Sequence, residues 1–258
     1  MKNTNPPFKI IQWNHFRQLQ DFCLFNKEIH VWIVPFLYSP YKELYNVLSA
    51  SEKLKAASFY TILLKNNYIT GRGFLRNLLG LYVQLSPSIL KFTTNEWGKP
   101  FLEKVQNHLP PSNLPIYFNL SNSGDFLIYA VTYASQIGID LEKINTSLEC
   151  DSYLISHSLN QEEQNTFYNF PKEKLLSTYL YIWTLKEATL KSLGFGLSFP
   201  LHDLTVSLPP TEYAQVSIRN STMLNEWFFY SFSPLCGYTA ALASNQRNPQ
   251  LKIFKVEW

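Results

Sequence analysis

Apolar runs and alternating positions divide the chain into short strands and two longer helical stretches. Residues 30–34 (His-Val-Trp-Ile-Val) form a short apolar run near the start. Residues 116–120 and 126–132 flank the polar sequence Ser121-Asn122-Ser123-Gly124-Asp125, which predicts a hairpin around a tight turn. A further strand is expected over 136–142, and 213–219, 227–232 and 238–243 predict a closing antiparallel meander. The helical stretches share a plan. One starts at Leu48 with Ser49-Ala50-Ser51-Glu52 and closes on Arg76-Asn77-Leu78-Leu79-Gly80. The other starts at Leu159 with Asn160-Gln161-Glu162-Glu163 and closes on Lys191-Ser192-Leu193-Gly194. Each opens on an N-cap type residue with Glu three positions later, and each places Gly as a C-cap. Strand-like segments, 81–92 and 201–208, follow the two glycines. Helices clustered between hairpins, without strict alternation, predict an α+β fold with antiparallel sheets, and the repeated plan points to internal duplication.

A chain of 258 residues, 46% hydrophobic and 16% aromatic, can bury one large core or two small ones. No apolar run reaches membrane-spanning length, and Met-Lys-Asn-Thr-Asn-Pro-Pro at the start lacks the apolar centre of a signal peptide. Cys23, Cys150 and Cys236 are widely spaced, which predicts buried free thiols in a reducing cytoplasm. A net charge of +3 is too small to point to nucleic acid.

Candidate chemistry concentrates in two segments. In Gly-Ile-Asp-Leu-Glu at 138–142, Asp140 and Glu142 leave a strand from one face. In Trp-Thr-Leu-Lys-Glu-Ala-Thr-Leu-Lys at 183–191, Glu187 and Lys191 share a helix face one turn apart. If strand and helix pack together, three carboxylates and an ammonium converge. Such a set suits a hard cation such as Mg²⁺ that completes its shell with water and phosphate oxygens. The plainer reading is a solvated strand edge and a helix-surface ion pair. Lys99, between Gly98 and Pro100, is either a turn lysine or an ammonium that a loop presents to a phosphate. Arg72 and Arg76, four apart on one helix, are surface charges or pocket lining.

The order Gly98-Lys99-Pro100, Phe118-Asn119-Leu120-Ser121-Asn122-Ser123-Gly124, Gly138-Ile139-Asp140-Leu141-Glu142 and Trp183-x-x-Lys186-Glu187-Ala188-x-x-Lys191-x-x-Gly194-x-Gly196 resembles the Sfp-type 4′-phosphopantetheinyl transferases over roughly residues 45–245. The resemblance implies a monomer of two similar α+β halves related by pseudo-twofold symmetry, which we divide at 1–137 and 138–258. It implies transfer of phosphopantetheine from coenzyme A to a serine of an acyl or peptidyl carrier protein, release of 3′,5′-ADP, and Mg²⁺ on the pyrophosphate in the cleft between the halves. Carried over, Asp140, Glu142 and Glu187 match the metal-binding acids, and Lys191 and Lys99 match phosphate-contacting lysines. Lys55 matches a basic residue that reaches the 3′-phosphate. Ser121 and Asn122 stand where most relatives have Ser-His. Asn122 donates through its amide but cannot become cationic, which shifts 3′-phosphate recognition toward Lys55, Lys65 or Arg72. The serine's proton acceptor is expected to be Glu187 first, with Glu142, Glu163 and a metal-bound water behind it. A binding module without catalysis and a carboxylate-pair hydrolase are the rival classes. The first is disfavoured by the complete acid set. The second leaves Lys191 and the Gly-Lys-Pro loop unexplained. Nucleic acid and membrane are not expected as partners.

Overall fold

The computed structural model describes residues 8–16, 24–103, 114–133, 135–145, 152–196, 199–208 and 214–258. Two entry elements, β1 (Phe8–Gln12) and the short α1 (Trp13–Phe16), precede β2 (Glu28–Pro35). The chain then runs through α2 (Tyr41–Asn46), α3 (Ala50–Ala57), α4 (Ile62–Val83), a 3₁₀ turn at Pro87–Ile89, β3 (Phe92–Thr94), β4 (Pro100–Leu102), β5 (Ile116–Ser123) and β6 (Phe126–Tyr133). The same series follows again. It comprises β7 (Ile137–Lys143), α5 (Ser152–Ser158), α6 (Gln161–Phe167), α7 (Lys172–Leu193), a 3₁₀ turn at Leu201–Asp203, β8 (Leu204–Val206), β9 (Val216–Ile218), β10 (Phe228–Phe232) and β11 (Tyr238–Ser244), with β12 (Gln250–Glu257) last. Within each half the hairpin pairs antiparallel with the strand that opens the repeated series, in the orders β2-β6-β5 and β7-β11-β10. The fold is α+β, built from two similar halves.

The repeat extends to side chains. Ser49 with Glu52, and Asn160 with Glu163, form complete capping boxes at the starts of α3 and α6. Both long helices have 22 residues, and Arg76 and Lys186 stand at the same place in them. Arg76 bonds Glu52 and the carbonyls of Pro87 and Leu90. Lys186 bonds Glu163 and the carbonyls of Ser158 and Leu201. In each half, then, one buried cation ties the capping box to the 3₁₀ turn beyond the long helix.

Period-two alternation gives each sheet two apolar faces. In β2 and β6, Trp32, Val34, Leu127, Tyr129 and Val131 face α4 and the first core. Ala241 and Ala243 of β11 face α7 and the second. The opposite faces, including Val31, Ala130, Ile139 and Leu242, meet in a third core shared by both sheets. That shared core fixes the relation between the halves.

Several sequence expectations are corrected. Residues 81–92 are not one strand. Helix α4 continues to Val83 and is capped by Gln84 at φ 54°, because the chain doubles back over Gly80, where a Cβ would lie 2.7 Å from Leu85 O. Gly194, at φ 79°, is the expected left-handed cap. Of 201–208, only Leu204–Val206 is strand. Segment 213–219 does not join a closing meander, because its described strand pairs with β8. Ser121–Ser123 are not turn but continue β5, leaving Gly124 and Asp125 as the turn. Strands β1 and β12 were not anticipated; β12 lies between β1 and β2, parallel to both. Cys236 is exposed rather than buried, in the connection between β10 and β11. Cys23 and Cys150 lie outside the described residues.

A buried polar cluster gives the first half a pH dependence. His30 places Nδ1 2.7 Å from Tyr82 Oη and Nε2 3.0 Å from Glu28 Oε2, whose other oxygen pairs with Lys252. Burial pushes its imidazole down to about 4. Between that value and the ordinary 6.5 the unfolded chain binds a proton that the folded chain refuses. Stability is therefore full above pH 6.5 and falls as pH drops toward 4, by about 3 kcal/mol in all. Urea unfolding at a series of pH values should show this slope, and His30→Gln should flatten it.

Candidate active site

Strand β7 presents Ile137, Ile139 and Leu141 to the shared core, so the alternate residues Gly138, Asp140 and Glu142 face α7. Gly138 allows the helix to lie directly on the strand. A Cβ there would stand 2.0 Å from Ala188 O and 2.4 Å from Ser192 N, both backbone atoms of α7. This close approach brings Glu187 and Lys191 over Asp140. The first half supplies the other wall: Asn119 Oδ1 accepts from Ile139 N at 3.0 Å, and Ser121 and Ser123 follow on the same face of β5.

Lys191 Nζ donates to Asp140 Oδ1 at 2.6 Å and to Ser121 Oγ at 2.9 Å, while Ser121 Oγ donates to the same Asp140 oxygen at 2.8 Å. Glu142 accepts from Ser123 Oγ at 2.9 Å and from Trp183 Nε1 at 3.3 Å. Asp140 Oδ2 and Glu187 Oε1 are buried without hydrogen-bond partners. Burial, and then the nearby Asp140 carboxylate, push Glu187 up to about 7, and the same two causes raise Glu142. Carboxylates crowded out of water with oxygens left unsatisfied are a set that a hard divalent cation would complete. Among the described residues no three His, Cys, Asp or Glu side chains are placed to hold a metal ion as they stand; Lys191 lies against one of the Asp140 oxygens. With Lys191 withdrawn from Asp140, the donor chemistry, its two orphaned oxygens included, would suit a hard divalent cation.

The structure thus brings together Asp140, Glu142, Glu187, Lys191 and Ser121. Lys99 is close by but engaged elsewhere, donating to Ser192 O at 2.9 Å and Ile137 O at 3.2 Å. Burial lowers it to about 8. Asn122 is exposed and, by alternation, on the opposite side of β5 from Ser121 and Ser123. Lys55 lies over the Tyr68 ring, 5.6 Å from its centroid. Of the two arginines, Arg76 is a buried structural ion pair, and Arg72 shares its carboxylate partner Glu52. Glu163, a reserve proton acceptor in the sequence reading, is held 2.6 Å from Lys186 Nζ with side-chain exposure near zero, and is out of the reaction.

Three residues of the site escaped sequence reasoning. Ser123 and Trp183 fix Glu142, and Asn95 joins the halves by donating to Gly194 O at 2.8 Å while accepting from the Trp97 and Lys99 amides. Ser123 and Trp183 lay inside quoted motifs, so their spacing to Glu142 was the available signal. Asn95 carried none.

The description "4'-phosphopantetheinyl transferase superfamily" matches residues 136–243. The chain is 34% identical to the 4'-phosphopantetheinyl transferase HetI of Nostoc sp. over 80% of its own length and 85% of that protein's. It is 26% identical to the 4'-phosphopantetheinyl transferase Sfp of Bacillus subtilis, over 76% of this chain and 82% of that one. This protein belongs to the 4′-phosphopantetheinyl transferase family. It is accordingly a transferase, moving phosphopantetheine from coenzyme A onto carrier proteins.

Proposed function

We propose that Asp140, Glu187 and Lys191 form the reaction centre for transfer to a carrier serine, with Glu142 as the third acid and 3′,5′-ADP as the leaving product. The observation that carries this is the pair of buried, unpartnered oxygens, Asp140 Oδ2 and Glu187 Oε1, beside the Lys191 ammonium. Asp140, Glu142 and Glu187 would hold Mg²⁺, which neutralises charge on the pyrophosphate when bound. The serine oxygen attacks the β-phosphorus of coenzyme A, and the bond to the leaving phosphate breaks. Lys191 offsets charge that develops on the anhydride oxygens. Glu187 is the proton acceptor we place first, since Ser123 and Trp183 occupy both Glu142 oxygens and Lys186 holds Glu163. Lys55, Lys99, Ser121 and Asn122 are assigned to coenzyme A; for Lys99 this requires release of its two carbonyl partners, and for Asn122 it requires that the ligand reach the face of β5 opposite Ser121. The division into halves at 137/138, a monomeric state and a cytoplasmic location accompany this reading. No described helix is long and apolar enough to cross a membrane.

Incubation with coenzyme A, Mg²⁺ and several apo carrier proteins should add one phosphopantetheine mass to a carrier serine. Excess chelator should stop the reaction. Full activity in chelator overturns the metal assignment, and failure on every carrier overturns the reading as a whole.

A further inference from the structure

We propose that Asn95 is a positioning residue that sets Lys99 for coenzyme A. It keeps the tip of the β3–β4 hairpin on the last turn of α7, so Lys99 stays at the site after releasing its two carbonyls. This role rests on the reading of Lys99 as a coenzyme A ligand.

The hairpin does not hold this position unaided. Strands β3 and β4 pair over three residues each, Phe92 with Leu102, Thr93 with Phe101 and Thr94 with Pro100. A two-stranded ribbon so short has little stability of its own. Its base is fixed, because Phe92 and Leu102 pack on the first core. Its tip, residues 95–99, reaches the second half instead. Among the described residues three hydrogen bonds join the tip to that half. Lys99 Nζ donates to Ile137 O and Ser192 O, and Asn95 Nδ2 donates to Gly194 O at 2.8 Å. When Lys99 turns to a phosphate, its two bonds are lost and the Asn95 bond is the one that remains. The last turn of α7 also carries Lys191. Asn95 therefore ties two lysines, one from each half, to a common frame.

Residue type and surroundings fit this role. Asn95 Oδ1 accepts from the amides of Trp97 at 3.1 Å and Lys99 at 2.8 Å, which folds the tip, while Nδ2 faces the Gly194 carbonyl. Two donors on one side and an acceptor on the other fix which end of the amide is oxygen. Aspartate has the same shape but no donor for Gly194 O. The seat is shaped for close approach. A Cβ on Gly194 would lie 3.0 Å from Asn95 Nδ2, and one on Gly196 would lie 3.3 Å from Trp97 Cε3. Gly194-x-Gly196, which the reaction centre does not use, thus receives the hairpin tip.

The test is titration calorimetry with coenzyme A in Mg²⁺ buffer on the parent chain, Lys99→Met, Asn95→Asp, Asn95→Ser and Asn95→Asp with Lys99→Met. Asn95→Asp keeps the oxygen that folds the tip and loses the donor to Gly194 O. It should weaken binding roughly five- to tenfold, the scale of one hydrogen bond lost with its acceptor left unpaired. Asn95→Ser, neutral and too short to reach Gly194 O, should weaken it similarly. Turnover of an apo carrier at saturating coenzyme A should stay within about twofold of the parent, because the loss is equal in ground and transition states. Lys99→Met should weaken binding at least as much, and adding Asn95→Asp to it should cost nothing further. A general fold defect would lower the thermal midpoint without that coupling, and direct repulsion of the ligand by Asn95→Asp would persist in the Lys99→Met chain. With Lys99→Met weakened, parent-like affinity in both Asn95 variants, or an undiminished Asn95→Asp loss in the Lys99→Met chain, overturns the proposal alone. Parent-like affinity in Lys99→Met overturns the reading of Lys99 as a ligand, and the proposal with it.

Discussion

Alanine at Asp140 or Glu187 is expected to reduce phosphopantetheine transfer by at least roughly 10²–10³-fold, the scale of losing a principal charge-stabilising group. Asp140 holds Lys191 at 2.6 Å and keeps its second oxygen free; Glu187 contributes the other unpartnered buried oxygen. Glu142→Ala is expected to cost less, because Ser123 and Trp183 already occupy its oxygens. A stability measurement separates a functional loss from an unfolded variant. Glu187 has its carboxyl pushed up to about 7 by burial and by Asp140, against an ordinary 4.5. In chelator at pH 8 the folded chain must therefore hold an anion that it binds less well than water does. Glu187→Gln removes that penalty, so its thermal midpoint should equal or exceed the parent's even as transfer is lost. Near wild-type turnover in a folded Asp140→Ala or Glu187→Ala protein would show that the chemistry lies elsewhere.

What the sequence made legible follows from the range of the interactions involved. Asp140 with Glu142, and Glu187 with Lys191, are local spacings on a strand and a helix, and the structure brings all four side chains to one place. Both capping boxes are likewise local, and both are complete. Gly138 was quoted in a motif, but its role lies across space, at the backbone of α7. Strand β12 was missed because its parallel partners, β1 and β2, are distant in sequence, and nothing local specifies that pairing. The end of α4 was misplaced for a different reason. Gly80 is needed for the close approach of Leu85, so a glycine after a helical run marked crowding rather than termination. For Lys99 the motif gave the position of the backbone, while the carbonyls of Ile137 and Ser192 decide where the ammonium rests.

The duplicated plan makes a second large effect predictable, this time on stability. Lys186 Nζ is fully buried and donates to Glu163 Oε2 at 2.6 Å and to the carbonyls of Ser158 and Leu201. Glu163 also accepts from the amides of Asn160 and Val206, so its carboxylate joins α6, α7 and β8. Arg76 and Glu52 do the same in the first half, with a 2.6 Å contact and Arg76 bonded to Pro87 O and Leu90 O. Glu163→Ala leaves an ammonium buried with carbonyls but without its counter-charge, and Glu52→Ala does so for a guanidinium. Each should lower unfolding free energy by about 3–5 kcal/mol, measured in urea with an unchanged slope. Arg72 keeps 22% of its side chain exposed whereas Arg76 keeps 2%, so most of the loss on Glu52→Ala should come from Arg76. A paired change, Glu163→Leu with Lys186→Met, removes both charges together and should recover most of the stability lost by Glu163→Ala, because the desolvation cost of the pair disappears with its attraction. If Glu163→Ala alone costs under about 1 kcal/mol, the range of an exposed ion pair, then this carboxylate is not the tie between the capping box and the long helix. The correspondence between the halves would then stop at backbone geometry.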